Sequence, residues 1–104
     1  MIHPVIRSPR TEVDLEEIAQ YLAQHSLPTA LRFLDAAEKA FALLAEFPEI
    51  GGRYESDNPA LADLRAWAVP GFRRHWIFYR FRDQRVEVAR VLHASRDLER
   101  LLGD

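Results

Sequence analysis

The chain has 104 residues, 48% of them hydrophobic and 29% charged, which suits one compact domain with a real core and excludes intrinsic disorder. There is no cysteine, so neither a disulfide framework nor a thiolate metal site is available, and the cytoplasm is the expected compartment. The amino terminus lacks a basic segment followed by a long apolar run, and no stretch of roughly 18 apolar residues occurs, so secretion and membrane spanning are not expected.

In chain order, His3 to Arg7 is short, apolar at Val5 and Ile6, and followed by Ser8-Pro9, which predicts an edge strand. Ser8 can cap the next helix, and Pro9 suits its first turn, where a missing amide hydrogen costs nothing. Val13, Ile18, Tyr21, Leu22 and His25 recur at helical spacing, and Glu12, Asp14, Glu16 and Glu17 complement the positive end of the helix dipole. This helix should end near His25-Ser26, because Pro28 disfavours helical geometry at Leu27. A second helix opens at Pro28, with Ala30, Phe33, Leu34, Ala37, Phe41 and Leu44 forming one stripe, and stops at Pro48 and Gly51-Gly52. The short connection makes the two helices an antiparallel hairpin.

Pro48 to Ala62 has no period and reads as a loop. Three strands follow over Leu64 to Val69, Arg73 to Phe81 and Arg85 to His93, joined by a type II turn signal at Pro70-Gly71 and a tight connection at Asp83-Gln84. The tail from Ser95 to Leu102 has the content for one or two helical turns, with Leu98, Leu101 and Leu102 able to cover one end of the sheet. The expected fold is α+β, a single domain over residues 1–104: an N-terminal strand and an antiparallel helical hairpin packed on an antiparallel sheet, with a short tail.

Strict alternation places Trp76 and Phe78 on one sheet face and Ile77, Tyr79 and Phe81 on the other. It likewise places Val86, Val88 and Leu92 with Arg90 on one side, and Ala89 and Val91 with His93 on the other. A single hairpin buries one face, so the second, apolar and rich in arginine, is expected to be a docking surface unless the loop, the tail or a second copy covers it. The charge distribution agrees. The net charge of -2 divides into -5 over residues 1–62, from five basic groups and ten acids, and +3 over residues 63–104, from nine arginines and six acids. Arginine forks suit an acidic partner.

The segment Asp14-Leu15-Glu16-Glu17-Ile18-Ala19-Gln20-Tyr21-Leu22, the strand Ile77-Phe78-Tyr79-Arg80 and the ending Arg90-Val91-Leu92-His93-Ala94-Ser95-Arg96-Asp97-Leu98 resemble, in order and over nearly the whole chain, the ParE/RelE toxin superfamily, and its ParE branch in particular. The resemblance implies a type II toxin, neutralised by a cognate ParD-like antitoxin whose disordered tail folds on the toxin, with DNA gyrase as target and no catalytic site of its own. The docking residues expected for antitoxin or target are Arg65, Trp67, Arg73, Arg74, Trp76, Phe78, Arg80, Arg90 and Arg96. The RelE branch implies instead a ribosome-dependent mRNA endonuclease, for which Arg65, Arg73, His75, His93 and Arg96 are the candidate catalytic set. The arginine before the RelE strand is replaced here by Trp76, and the RelE tail tyrosine by Leu102. Neither cofactor nor metal is expected, because His3, His25, His75 and His93 lack ligand spacing. No helix is basic, so direct binding of nucleic acid is not expected.

Overall fold

The computed structural model describes residues 1–103. Strand β1 (Val5–Arg7) leads into helix α1 (Pro9–Ala23) and helix α2 (Leu27–Glu46); β2 (Gly52–Arg53) and a single 3-10 turn (Pro59–Leu61) precede β3 (Arg65–Val69), β4 (Phe72–Arg82), β5 (Arg85–His93) and α3 (Leu98–Gly103). The strands form one sheet in the order β1-β5-β4-β3-β2. The β3-β4-β5 meander is antiparallel as expected, but β1 pairs in parallel with β5, Val5 opposite Val86 and Arg7 opposite Val88, so the sheet is mixed. The short β2, read from sequence as loop, extends the far edge against Ala66 and Arg65.

Local chemistry sets the boundaries. The Ser8 and Ser26 hydroxyls accept from the Thr11 and Thr29 amides, satisfying donors that each new helix leaves unpaired. Gly71, at φ 82°, supplies the left-handed residue that the two-residue turn from Val69 to Phe72 needs. Asp83 and Gln84 both have positive φ, 53° and 59°, the pattern of the hairpin turn whose twist matches the flanking strands.

The hairpin covers one face of the sheet. Phe33, Ala37, Phe41 and Leu44 of α2 meet Ile77, Tyr79, Val86, Val88 and Val91, a core completed by Leu15. The face of α1 differs from the expectation. Thr11, Asp14 and Leu15 are buried and continue through Ile18 and Leu22, whereas Val13 and Tyr21 are 40% and 62% exposed. Two buried positions at the start of α1 are therefore polar. Their reason lies in β5, which β1 covers only as far as Val88.

Beyond that point β5 bulges: Phe78 pairs with Arg90 and Tyr79 with Val88, leaving Ala89 unopposed. The exposed backbone groups there are met by the start of α1. Ser8 Oγ donates to the Ala89 carbonyl (2.8 Å), Thr11 Oγ1 donates to the Val88 carbonyl (3.3 Å), and Asp14 Oδ2 accepts from the Val91 amide (3.1 Å). The bulge also shifts the phase of β5. Val86, Val88 and Val91 all join the hairpin-side core, and Leu92 turns to the opposite face, correcting the strict alternation read from sequence.

The second sheet face is sealed by the chain itself, which overturns its assignment as an open docking surface. Leu61 and Leu64 from the long loop and Leu101 from α3 close over Phe78 and Leu92, with Tyr54, Trp76, Leu98 and Leu102 at the margin. Phe78 and Leu92 are each only 2% exposed. The physical reason is that an apolar face this wide would cost too much left in water, and the loop and tail hold enough leucine to cover it. No helix is long and apolar enough to cross a membrane, among the described residues.

Candidate functional site

The arginines expected to face a partner divide into two groups. Three of them hold the fold. Arg65 donates to the Glu49 and Gly51 carbonyls (3.1 and 2.8 Å), tying β3 to the end of α2. Arg80 donates to Asp63 (2.7 Å) and to the Ala60 carbonyl (2.6 Å), clamping the loop that covers the second face; its guanidinium holds the Asp63 carboxyl below the usual range. Arg90 makes a two-pronged pair with Asp14 (2.7 and 2.9 Å) and donates to the Leu101 carbonyl (3.2 Å), joining α1, β5 and α3 at one point. With Phe78 sealed, Trp67 packed on the hairpin-side core and Trp76 half-buried at the margin of the other, the apolar residues of the expected surface are largely internal.

The other group, Arg73, Arg74 and Arg96, is exposed at one end of the molecule. The Ala94 amide donates to the Arg74 carbonyl (2.7 Å), which brings the start of β4 and the turn after β5 together. Between them and the end of α1 lies a cleft of about 580 Å³, lined by Glu17, Tyr21, His75, His93 and Arg96 among others. His75 and His93 meet edge to face, 4.9 Å between ring centroids, and His75 also touches Phe33 at 5.1 Å. Burial, with His93 alongside, pushes the His75 pKa down. The Ser95 amide donates to His93 Nδ1 (3.0 Å), which leaves the proton of the neutral ring on Nε2. Of the five candidate ribonuclease residues, the structure thus unites His75, His93 and Arg96, keeps Arg73 two residues from His75, and removes Arg65 to the β2 side. Arg96 does not pair with Asp97, whose carboxylate lies 3.7 Å from Arg100. No group of three or more metal-ligating side chains converges among the described residues.

The open apolar surface is on the hairpin. A groove of about 580 Å³ runs between α1 and α2, with Ala19, Ala23 and Ala30 among its lining and Leu27, Leu31 and Leu34 beside them. Leu27 and Leu31 are 60% and 59% exposed. Glu12, Glu16 and Glu38 also line it. Arg7 pairs with Glu12 and Glu38, both at 2.7 Å, and its guanidinium lies 4.6 Å from the Phe41 ring centroid. Sequence reasoning missed this groove by following the buried stripe of α2. The signal was present in Leu27 and Leu31, large apolar residues that fall outside that stripe.

The mixed sheet with a helical hairpin on one face is the RelE/ParE-like α+β toxin fold. It is similar to a chain of the chromosomal ParDE toxin–antitoxin system from P. aeruginosa, with TM-score 0.70 and 14% identity over 88% of this chain and 96% of that one. It is also similar to a chain of the toxin–antitoxin complex RelBE2 from Mycobacterium tuberculosis, with TM-score 0.56 and 21% identity over 89% of this chain and 99% of that one. At these identities the likeness is one of fold, and no curated protein matches the chain. Residues 5–98 match the family described as ParE toxin of type II toxin-antitoxin system, parDE, and the chain belongs to that family.

Proposed function

We propose that this toxin arrests growth by poisoning DNA gyrase through protein contacts, and that a cognate antitoxin neutralises it by laying an amphipathic helix along the α1–α2 groove. The observation that supports the antitoxin site is the exposed leucine pair, Leu27 and Leu31, beside a floor of alanines, since small residues let a partner helix approach closely while the leucines supply apolar area. The glutamates along the groove favour a partner helix with basic flanks over an acidic stretch. Support for gyrase as target comes from membership of the ParE family.

Incubating the purified toxin with gyrase, ATP and supercoiled plasmid, then denaturing with detergent, tests the target. Linear plasmid is the expected product. Intact plasmid, together with cuts in mRNA on ribosomes, would move the assignment to the ribonuclease reading, whose one structural support is the meeting of His75, His93 and Arg96.

A further inference from the structure

We infer that Glu16 is the residue of the α1–α2 groove that sets partner specificity, by pairing with one arginine or lysine on the partner helix. This rests on the antitoxin site proposed above and names the contact that selects among amphipathic helices there.

Three glutamates line the groove, and their surroundings differ. Arg7 neutralises two of them. Its Nε lies 2.7 Å from Glu12 and its Nη1 2.7 Å from Glu38, so one guanidinium bridges α1 to α2. The Arg7 side chain is only 25% exposed and rests against the Phe41 ring, which fixes the bridge in place. A cation brought up by a partner meets two carboxylates already paired and gains little from them. Glu16 is different. It is exposed, no cationic group of the described residues stands within 4.0 Å of it, and it accepts one long hydrogen bond, from Gln20 Nε2 at 3.3 Å.

Position along the groove adds to this. The α2 wall from Leu27 to Glu38 is about 16 Å long at 1.5 Å per residue, room for about three turns of a partner helix. The Arg7 bridge joins the two walls at one end, and the exposed Leu27 marks the other. Glu16 follows Glu12 by four residues, so it stands one turn in from the bridged end, on the α1 wall. A partner helix whose apolar stripe covers Ala19, Ala23 and Leu34 can therefore set one flanking basic side chain on Glu16. Apolar contact alone would hold any amphipathic helix in such a groove. A free carboxylate beside it rejects a helix with an acid at that position, because like charges held together cost more than a missing pair.

Titration calorimetry of the full chain with its cognate antitoxin tests the inference, with Leu31→Glu as a separate probe of the groove itself. Glu16→Gln should weaken binding roughly three- to tenfold at low salt, with the difference shrinking as salt rises. Glu16→Arg should weaken it roughly thirtyfold or more, and one antitoxin variant with a single basic residue changed to glutamate should bind Glu16→Arg more tightly than it binds the parent. Glu12→Gln should weaken binding by less than Glu16→Gln does, and Glu55→Gln, in the loop after β2, should leave it unchanged. Glu12, Glu16 and Glu55 are exposed, and unchanged thermal melts will show that the variants are folded. Parental affinity in Glu16→Gln, with affinity lost in Leu31→Glu, overturns the inference and leaves the groove as the antitoxin site. Equal losses from Glu12→Gln and Glu16→Gln, or the lack of any antitoxin variant that prefers Glu16→Arg, overturn it as well, by replacing one contact with a diffuse field. Affinity indifferent to Leu31→Glu and to both Glu16 variants removes the groove reading together with the inference.

Discussion

Asp14 is the residue whose loss should cost this fold most for its size. It is 4% exposed and accepts three hydrogen bonds, two from the Arg90 guanidinium and one from the Val91 amide at the bulge. Asp14→Ala leaves a guanidinium that is only 11% exposed without its carboxylate, and an amide without an acceptor. Breaking a buried pair from one side costs about 3–5 kcal/mol. Arg90 keeps its bond to the Leu101 carbonyl and some access to water, so the lower end, about 3 kcal/mol, is expected. For a domain near this size that is a fall in Tm of about 12–24 °C. Arg90→Ala should cost less, about 2 kcal/mol, because the carboxylate keeps the Val91 amide and has Arg10 at 3.6 Å. Urea or thermal unfolding of both single variants and of Asp14→Ala/Arg90→Ala measures the coupling, which should be at least about 1 kcal/mol. Additive losses, or an Asp14→Ala loss below about 1 kcal/mol, would refute the claim that this pair fastens α1 and α3 to β5.

Three further outcomes follow from local geometry. Gln84→Gly should stabilise the fold by about 0.5–1 kcal/mol in denaturant titration, because Gln84 holds a φ of 59° that glycine adopts without strain. Gly51→Ala should destabilise by about 1–3 kcal/mol in the same assay, since a Cβ there would sit 2.5 Å from Tyr79 Oη and 3.0 Å from the Ala66 carbonyl. The Tyr54 hydroxyl donates to Glu99 (2.6 Å), and burial, followed by that carboxylate, pushes its pKa up to about 12. A folded pKa above the unfolded value of about 10 means its stabilisation is complete below pH ~10 and is lost as pH rises towards 12. Tyr54→Phe should flatten the loss of stability over that window, as read by circular dichroism at 222 nm.

Element types were legible because periodicity and punctuation are local. The α2 stripe, the cap at Ser8 and the turn at Pro70-Gly71 all emerge where their residues predict. Which face a residue takes was less legible, since that depends on partners distant in sequence. Thr11 and Asp14 look like ordinary polar helix positions until β5 bulges beneath them, and the bulge at Ala89 has no glycine or proline to announce it. The motif residues that marked the family prove to be braces: Ile77 and Phe78 fill opposite cores, Tyr79 Oη donates to the Pro48 carbonyl (2.8 Å) while accepting from the Gly51 amide (2.9 Å), and Arg80 clamps the loop. They identify the fold, while Glu16 and Ala19 of the first motif segment also line the α1–α2 groove. The error about the second sheet face has the same origin, because no pattern within β4 and β5 reveals that Leu61, Leu64 and Leu101 fold back onto them.

The most direct test of the account is the affinity of the cognate antitoxin for Leu31→Glu, compared with Trp76→Ala on the sheet's second side. A carboxylate placed in the groove, at a position 59% exposed and therefore cheap to the fold, should weaken antitoxin binding at least a hundredfold in titration calorimetry and restore growth arrest in cells expressing both proteins. Unchanged affinity for Leu31→Glu, with binding lost instead on Trp76→Ala, would show that the antitoxin opens the sealed face and leaves the hairpin groove untouched.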